Sequence, residues 1–179
     1  MIYGKRIRFR APERADLPTF VQWINDPEVR AGISLFLPMS LAHEEQWFED
    51  MLKRPREEQP MTIEIKEKRK WMAIGNIGFF SIDPISRASE VGIMIGNKDY
   101  WNKGLGTEAI QLILKHGFDT LNLNRIFLRV FANNHRAIRC YEKVGFIHEG
   151  HMRQAIYNDG EYLDILLMSV LREEWKNVL

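Results

Sequence analysis

The stretch "NKGLGTEA", residues 102–109, places two glycines two apart immediately before a helix-forming run. Gly104 and Gly106 permit a tight turn and let a ligand approach bare backbone. The N–H groups of residues 103–107 stand where a helix begins, and free donors there, with the positive end of the helix dipole, favour an anion. The Thr107 hydroxyl adds a donor and Lys103 a charge. Read literally, Gly104 to Ala109 is also G-x-G-x-x-A, the dinucleotide fingerprint, but its context fails. Seven residues, "NKDYWNK", separate Gly104 from the preceding strand, "FLRVFANN" offers no acidic ribose ligand, and repeated β-α-β units are missing. Phosphate chemistry survives that test. A glycine turn that merely starts a helix would use the same residues.

The second informative stretch is "FANNHRAIRCYEKVGF", 131–146. Asn134, Ala137, Ile138, Tyr141 and Val144 share one helical face, and Arg136, Arg139 and Lys143 form a basic stripe opposite. One amide and one phenol thus sit about two turns apart on an apolar face. A helix-capping Asn134 and a core Tyr141 would satisfy the same pattern. Cys140, one residue off that face, reads as packing. In "HEGH", 148–151, a strand would send the two histidines to opposite faces, so no metal site is expected. Nor does any serine or cysteine have an evident partner for nucleophilic catalysis.

The rest of the chain must position these groups. Its 179 residues suit one domain, 1–179, with no internal repeat or low-complexity linker. A net charge of +1 argues against a nucleic-acid or membrane partner. The basic run "KEKRK", 66–70, reads as a solvated hairpin tip. A single cysteine suits a reducing cytoplasm, and neither a signal peptide nor a bilayer-spanning stretch is evident. Periodicity predicts a strand at "RIRFR", a helix ended by Pro27, and a helix capped by Ser40. Three strands follow, "MTIEIK", "WMAIGNIGFFSID" and "SEVGIMIG". A helix from about Thr107 to Leu121 comes next, its Glu108, Gln111, Lys115 and Asp119 on a polar stripe. The strand "RIFLRVFA", a helix at 134–144, a strand from Phe146, the turn "NDG" at 158–160 and the strand "YLDILLMSV" complete a β-α-α-β-β-β-α-β-α-β-β order. Between the first two helices, the apolar "GISLFLP" should pack on something or line a pocket.

Together, "YWNKGLGTEA" and "NNHRAIRCYEKVGF" resemble the coenzyme motifs of the GNAT superfamily of acyl-coenzyme A-dependent N-acetyltransferases. The similarity is greatest to its ribosomal-protein N-terminal and polyamine acetyltransferase branch, and runs from "RIRFRAPERAD" to "LREEW". Trp101 stands where the superfamily loop commonly has Gln or Arg. The resemblance implies a mixed α/β fold with a mostly antiparallel central sheet flanked by helices, and a splayed strand pair forming the coenzyme cleft. It implies acetyl-coenzyme A, with its pyrophosphate on the backbone of Asn102, Lys103, Gly104, Leu105, Gly106 and Thr107. A backbone N–H near Met94 or Ile95 would hold the thioester oxygen. Asn134 would bind the pantetheine arm, and Tyr141 would reach the sulfur. Glu90, the acidic residue nearest the cleft strand, becomes the candidate general base, against the reading of a solvated strand-end glutamate.

These expectations describe a cytoplasmic N-acetyltransferase that acetylates a small-molecule or peptide amine by direct attack in a ternary complex. The acceptor could be a protein N-terminus, a polyamine, an amino sugar or an antibiotic. A non-catalytic acyl-coenzyme A-binding module would keep the same loop without turnover. The assembly is open, a homodimer included. The segments that would line the acceptor pocket, "GISLFLP" and the 147–162 hairpin, carry no decodable motif.

Overall fold

At the start of the sheet, β1 (Ile2–Tyr3) pairs antiparallel with β2 (Ile7–Arg10). Alternation makes β2 two-faced: Ile7 and Phe9 are buried on one side, while Arg8 and Arg10 leave from the other. The two arginines are not solvated. Both bind the buried Glu64 carboxylate, at 2.6 and 2.8 Å, and Arg10 also forks onto Asp16. The computed structural model describes residues 1–158 and 160–175, so Asp159 at the centre of the expected "NDG" turn lies outside the described residues.

Helix α1 (Leu17–Asn25) stops before Pro27 as the sequence predicts, but the chain resumes at once as α2 (Pro27–Arg30). Asp26 explains the restart. Its backbone is extended, its side chain accepts the N–H groups of Glu28 and Val29, and Pro27 sits where a missing N–H costs nothing. Ser40 caps α3 (Leu41–Leu52) by accepting the His43 N–H at 3.2 Å. Strands β3 (Met61–Glu67), β4 (Lys70–Asp83) and β5 (Ala88–Ile95) form an antiparallel meander, with residues Lys66–Lys70 exposed at its first tip, where Glu67 and Lys70 close the ladder. Helix α4 (Leu105–Lys115), strand β6 (Arg125–Phe131), helix α5 (His135–Lys143) and the long hairpin β7 (Ile147–Asn158) and β8 (Glu161–Leu171) complete the fold.

The eight strands form one sheet in the order β1-β2-β3-β4-β5-β6-β8-β7, in which only β5–β6 is parallel. On one face α4 buries Leu105, Ala109, Ile110, Ile113 and Leu114 against Phe9, Ile63, Ile77 and Phe79. On the other, α1 and α3 bury Leu17, Phe20, Trp23, Phe48 and Met51 over Ala73 and Met94. Each fully buried Leu, Ile, Phe or Met side chain among these contributes roughly 1.5–3 kcal/mol, so both layers help to fix the sheet between them.

Two expectations for α4 need correction. The helix starts at Leu105, and past Lys115 the chain winds as a π turn over His116–Thr120 rather than as α-helix to Leu121. Glu108 does not belong to a solvated stripe. It is buried, accepting the Arg6 backbone N–H at 2.7 Å and the Arg6 Nε at 2.8 Å. The partner lies 102 residues away, so helical spacing could not reveal it. Burial pushes this carboxyl upward, but the Arg6 bonds outweigh that and hold it below the usual range. The "HEGH" expectation also changes. A register shift between His148 and Gly150 brings His148 opposite Met168 and His151 opposite Leu166, so both fall on one face. His148 then meets Glu142, and His151 meets Asp164.

Candidate active site

The parallel ladder between β5 and β6 is short. It pairs Ala88 with Arg125, Ser89 with Ile126 and Glu90 with Phe127, and there it stops. From Val91 onward β5 has no partner on β6. A cleft of about 1320 Å³ opens at this fork, walled by β5, the glycine loop, α5 and the 32–39 segment. The expected splay is therefore present, in the middle of the sheet.

At one end of the cleft the glycine loop delivers a bare helix terminus. Gly104 adopts φ +75°, the left-handed conformation that turns the chain into α4 at little steric cost. No side chain caps that terminus, and the first helical bond runs from Glu108 N–H to the Gly104 carbonyl at 3.1 Å. The N–H groups of Leu105, Gly106 and Thr107 precede it, so they remain outside the helical ladder. A Cβ built on Gly106 would meet only Cys140 Sγ, at 3.8 Å, which is ordinary contact. Nothing inside the chain requires glycine there. The open Cβ position and the free donors leave a seat of the kind an anion such as a pyrophosphate uses.

Arg6 braces this loop from the sheet edge. Besides holding Glu108, it donates from Nη1 to the Lys103 carbonyl at 3.0 Å. Lys103 itself departs from expectation. Its ammonium lies 5.3 Å from the Tyr100 ring centroid, and Lys103 is not among the cleft-lining residues. Tyr100 is well fixed for that role, since its hydroxyl donates to Glu67 at 2.7 Å, and burial with that carboxylate pushes its pKa up to about 12. Leu105 faces the core, so only its backbone can serve a ligand. Asn102, Gly104, Gly106 and Thr107 all line the cleft.

Trp101 takes over the position where the resembled family often carries Gln or Arg. Its indole N–H donates to the Ile95 carbonyl at 2.7 Å, tying the end of β5 to the loop. The Arg136 guanidinium lies over its ring, 3.6 Å from the centroid, and links the loop to α5. Neither contact was visible in the sequence, because each joins separate elements. Met94 and Ile95 line the cleft beside them.

Helix α5 supplies Asn134 and Tyr141. Asn134 caps the helix, its Oδ1 accepting the Ala137 N–H at 3.2 Å, so the capping reading holds. It also lines the cleft, and the cap leaves its amide N–H groups to be used elsewhere. Tyr141 is 8% exposed and tilted against Phe146, and lines the cleft wall. Its hydroxyl has no hydrogen-bond partner among the described residues, and burial pushes the phenol far above its ordinary value. A protonated donor in an apolar wall results. Cys140 packs under the loop with its Sγ 3.4 Å from Thr107 Oγ1.

Glu90 sits at the fork, on the cleft wall. Glu90 is partly buried and paired, since Arg129 Nε and Nη2 donate to the two carboxylate oxygens at 2.9 and 3.0 Å. Arg129 is two residues beyond Phe127, the register partner of Glu90, so both side chains leave the same face. The fork fixes the carboxylate and still leaves a lone pair on each oxygen. The sequence held one signal for Arg129, its position alternate to Phe127, but using it required the parallel register.

The 32–39 segment behaves largely as its apolar composition predicts. Gly32, Ile33, Ser34, Leu35 and Met39 line the cleft, whereas Phe36 and Leu37 are exposed. Leu35 and Phe36 also meet the tip of the β7–β8 hairpin across a smaller cavity of about 600 Å³, lined by Ala155 to Asn158. No group of His, Cys, Asp and Glu that could hold a metal ion occurs among the described residues, and none of their helices is long and apolar enough to cross a membrane.

Known proteins resemble this chain in sequence and in fold. Residues 6–147 match the family model described as an acetyltransferase (GNAT) domain. The chain is 30% identical over 176 residues to an uncharacterized N-acetyltransferase, p20, of Bacillus licheniformis, covering 97% of each. It is 33% identical over 104 residues to a spermidine N(1)-acetyltransferase of Vibrio cholerae, a match that covers 58% of this chain and 60% of that one. A crystal structure of spermidine N-acetyltransferase from Vibrio cholerae, in complex with CoA and spermine, superposes with a TM-score of 0.84 at 26% identity, over 94% of this chain and 97% of that chain. With the cleft, the uncapped glycine loop and these likenesses together, the chain belongs to the GNAT family and is an acetyl-coenzyme A-dependent acetyltransferase.

Proposed function

We propose that this acetyltransferase transfers its acetyl group to a primary amine by direct attack, without an acyl-enzyme. The observation that carries this reading is the continuity of one cleft from the free N–H groups of the glycine loop, past Tyr141, to Glu90. Acetyl-coenzyme A supplies an activated acyl group and a thiol leaving group. The chain's residues bind and orient the reactants and move protons. The backbone from Asn102 to Thr107 holds the pyrophosphate, and Asn134 offers its amide to the pantetheine arm. A main-chain N–H at Met94 or Ile95 polarises the thioester oxygen. Glu90, held by Arg129, accepts the proton that an ammonium must lose before it is a nucleophile, directly or through water. Tyr141 delivers a proton to the departing sulfur.

An amine acceptor is supported by relatives described as spermidine N(1)-acetyltransferases and by the neighbour crystallised with spermine. The test is a panel of primary amines with acetyl-coenzyme A, following thiol release. Amine-dependent release that scales with enzyme and gives the N-acetyl product by mass is expected. Acetylation of the protein in the absence of an amine, with kinetics that pass through that species, would replace direct attack by an acyl-enzyme.

A further inference from the structure

The cleft contains a carboxylate that the reaction above does not use. Glu44, on α3, is 3% exposed and lines the cleft. Its carboxyl oxygens have no hydrogen bond and no ion pair among the described residues, and its only perturbation is burial, which pushes the carboxyl upward. Its carboxyl end therefore meets only the space of the cleft, and a carboxylate so withdrawn from water without a partner is among the costlier groups a fold can carry. Glu44 has the exposed neighbours His43 and Glu45 on either side, so a solvated place was one position away along the helix.

Its surroundings want donors of positive charge. Trp47, one helical turn on, lines the same cleft, as do Phe20 and Phe80, so aromatic surface is available there to a cation. Asn76 lines it too, and Asn76 Oδ1 is buried without a partner among the described residues; so is the Oγ1 of Thr62, its register partner across β3 and β4. Asn76 lies opposite Met94, the β5 residue at the reacting end of the cleft, and Trp47 packs with Met94 on one apolar cluster. The other charged groups lining the cleft are Arg136, Arg139, Glu142 and Lys143 on α5, Glu90 and Arg129, which pair with each other, and Arg54, which is half-buried and has no ion-pair partner among the described residues.

We infer that Glu44 is a specificity-determining residue, binding a second cationic group on the acceptor, so that the preferred substrate is an amine that carries another ammonium. The inference rests on the amine-acetyltransferase reading and deepens it. A ligand ammonium supplies the N–H donors and the charge that Glu44 lacks, with the Trp47 ring as an apolar wall. Arg54, on the same cleft, is the rival feature, because it would prefer a carboxylate on the acceptor.

The test compares 1,4-diaminobutane with pentylamine, which replaces the second ammonium by a methyl group, and with 5-aminopentanoate, which replaces it by a carboxylate. Each is assayed with the wild type and with Glu44→Gln, whose coenzyme A affinity by calorimetry checks the fold. The wild type should favour the diamine through KM by about ten- to a hundred-fold, the range of one hydrogen bond to a charged group. Glu44→Gln should erase that preference while leaving pentylamine turnover within about twofold. Equal use of diamine and pentylamine, a preference that survives Glu44→Gln, or a preference for 5-aminopentanoate would each overturn the inference. Calorimetric binding of the diamine with coenzyme A present separates this inference from the functional reading. Glu44-dependent binding with no acetylation of any amine would sink the reading and keep the cation site.

Discussion

The two loop glycines should fail in different ways when each is given a methyl group. Gly104 holds φ +75°, where an L-residue is strained by about 1–2 kcal/mol, and the nearest atom to an added Cβ is Arg6 Nη2 at 3.6 Å. Gly104→Ala is therefore a backbone problem, and should lower Tm by about 2–8 °C at roughly 2–4 °C per kcal/mol for a chain of this size. Gly106 has no such strain and already lies within α4. A Cβ there meets Cys140 Sγ at 3.8 Å and nothing nearer, so Gly106→Ala should stabilise the free protein by about 0.4–1 kcal/mol. The same methyl group occupies the space a pyrophosphate needs. Coenzyme affinity should fall at least about tenfold, or 1.4 kcal/mol, which would remove roughly 3–6 °C of ligand-induced stabilisation at saturating coenzyme A. Thermal melts with and without coenzyme A, backed by calorimetry, measure both numbers on one preparation. A Gly106→Ala protein that is more stable and binds coenzyme A as tightly as the wild type would refute the placement of the phosphates on this loop.

Tyr141→Phe keeps the ring against Phe146 and deletes the hydroxyl, so kcat should fall about 10²-fold with coenzyme affinity unchanged; wild-type turnover with chemistry rate-limiting would make Tyr141 a packing residue. Glu90→Gln should lower kcat by about 10²–10⁴-fold. Arg129→Gln should cost less alone and almost nothing on top of Glu90→Gln, because the two groups act through one fork; additive losses in the double-mutant cycle would deny that Arg129 works through Glu90. The buried Glu44 predicts a pH dependence of known sign. Its carboxyl is raised on folding, so its contribution is fully present below the unfolded carboxylate pKa and is lost as pH rises through the folded value. The Tm of Glu44→Gln relative to wild type should accordingly increase as pH rises above about 4.3, the ordinary glutamate value, and a gap that stays flat with pH would show that Glu44 is not held uncompensated.

The sequence conveyed local features well. Ser40 caps its helix, the 66–70 turn is solvated, and the glycine loop starts α4, because each of these is decided within a few residues. The β5–β6 splay followed from the resemblance and not from periodicity. What escaped were contacts between distant segments. Glu108 looked like part of a polar stripe, but Arg6 draws it inward. The Lys103 ammonium, read as a charge for the phosphate, lies 5.3 Å from the Tyr100 ring centroid, a contact across the loop that spacing does not show. One extra residue in β7 reversed the expected faces of His148 and His151. Glu44 was indistinguishable from Glu45 in a helix whose surface is mostly charged. Burial of one and exposure of the other depends on where α3 lies over the sheet.

The parting of β5 from β6 leaves unpaired main-chain groups in the interior of an eight-stranded sheet. An unpaired strand is ordinarily an invitation to aggregation, since any extended chain can add to it. Here the gap is hemmed in by α5 on one side and the glycine loop on the other, stitched together by Trp101, Arg136 and Ile95. Side chains on both faces of a second polypeptide strand work against its entry between such walls, whereas the slender amide-bearing arm of the coenzyme, placed there by the function proposed above, suits the gap. On that reading the fold offers an adhesive surface to a ligand while screening it from other proteins. The outer edge at β7 is protected by another means, the two register shifts that kink its ladder and the charged side chains along it.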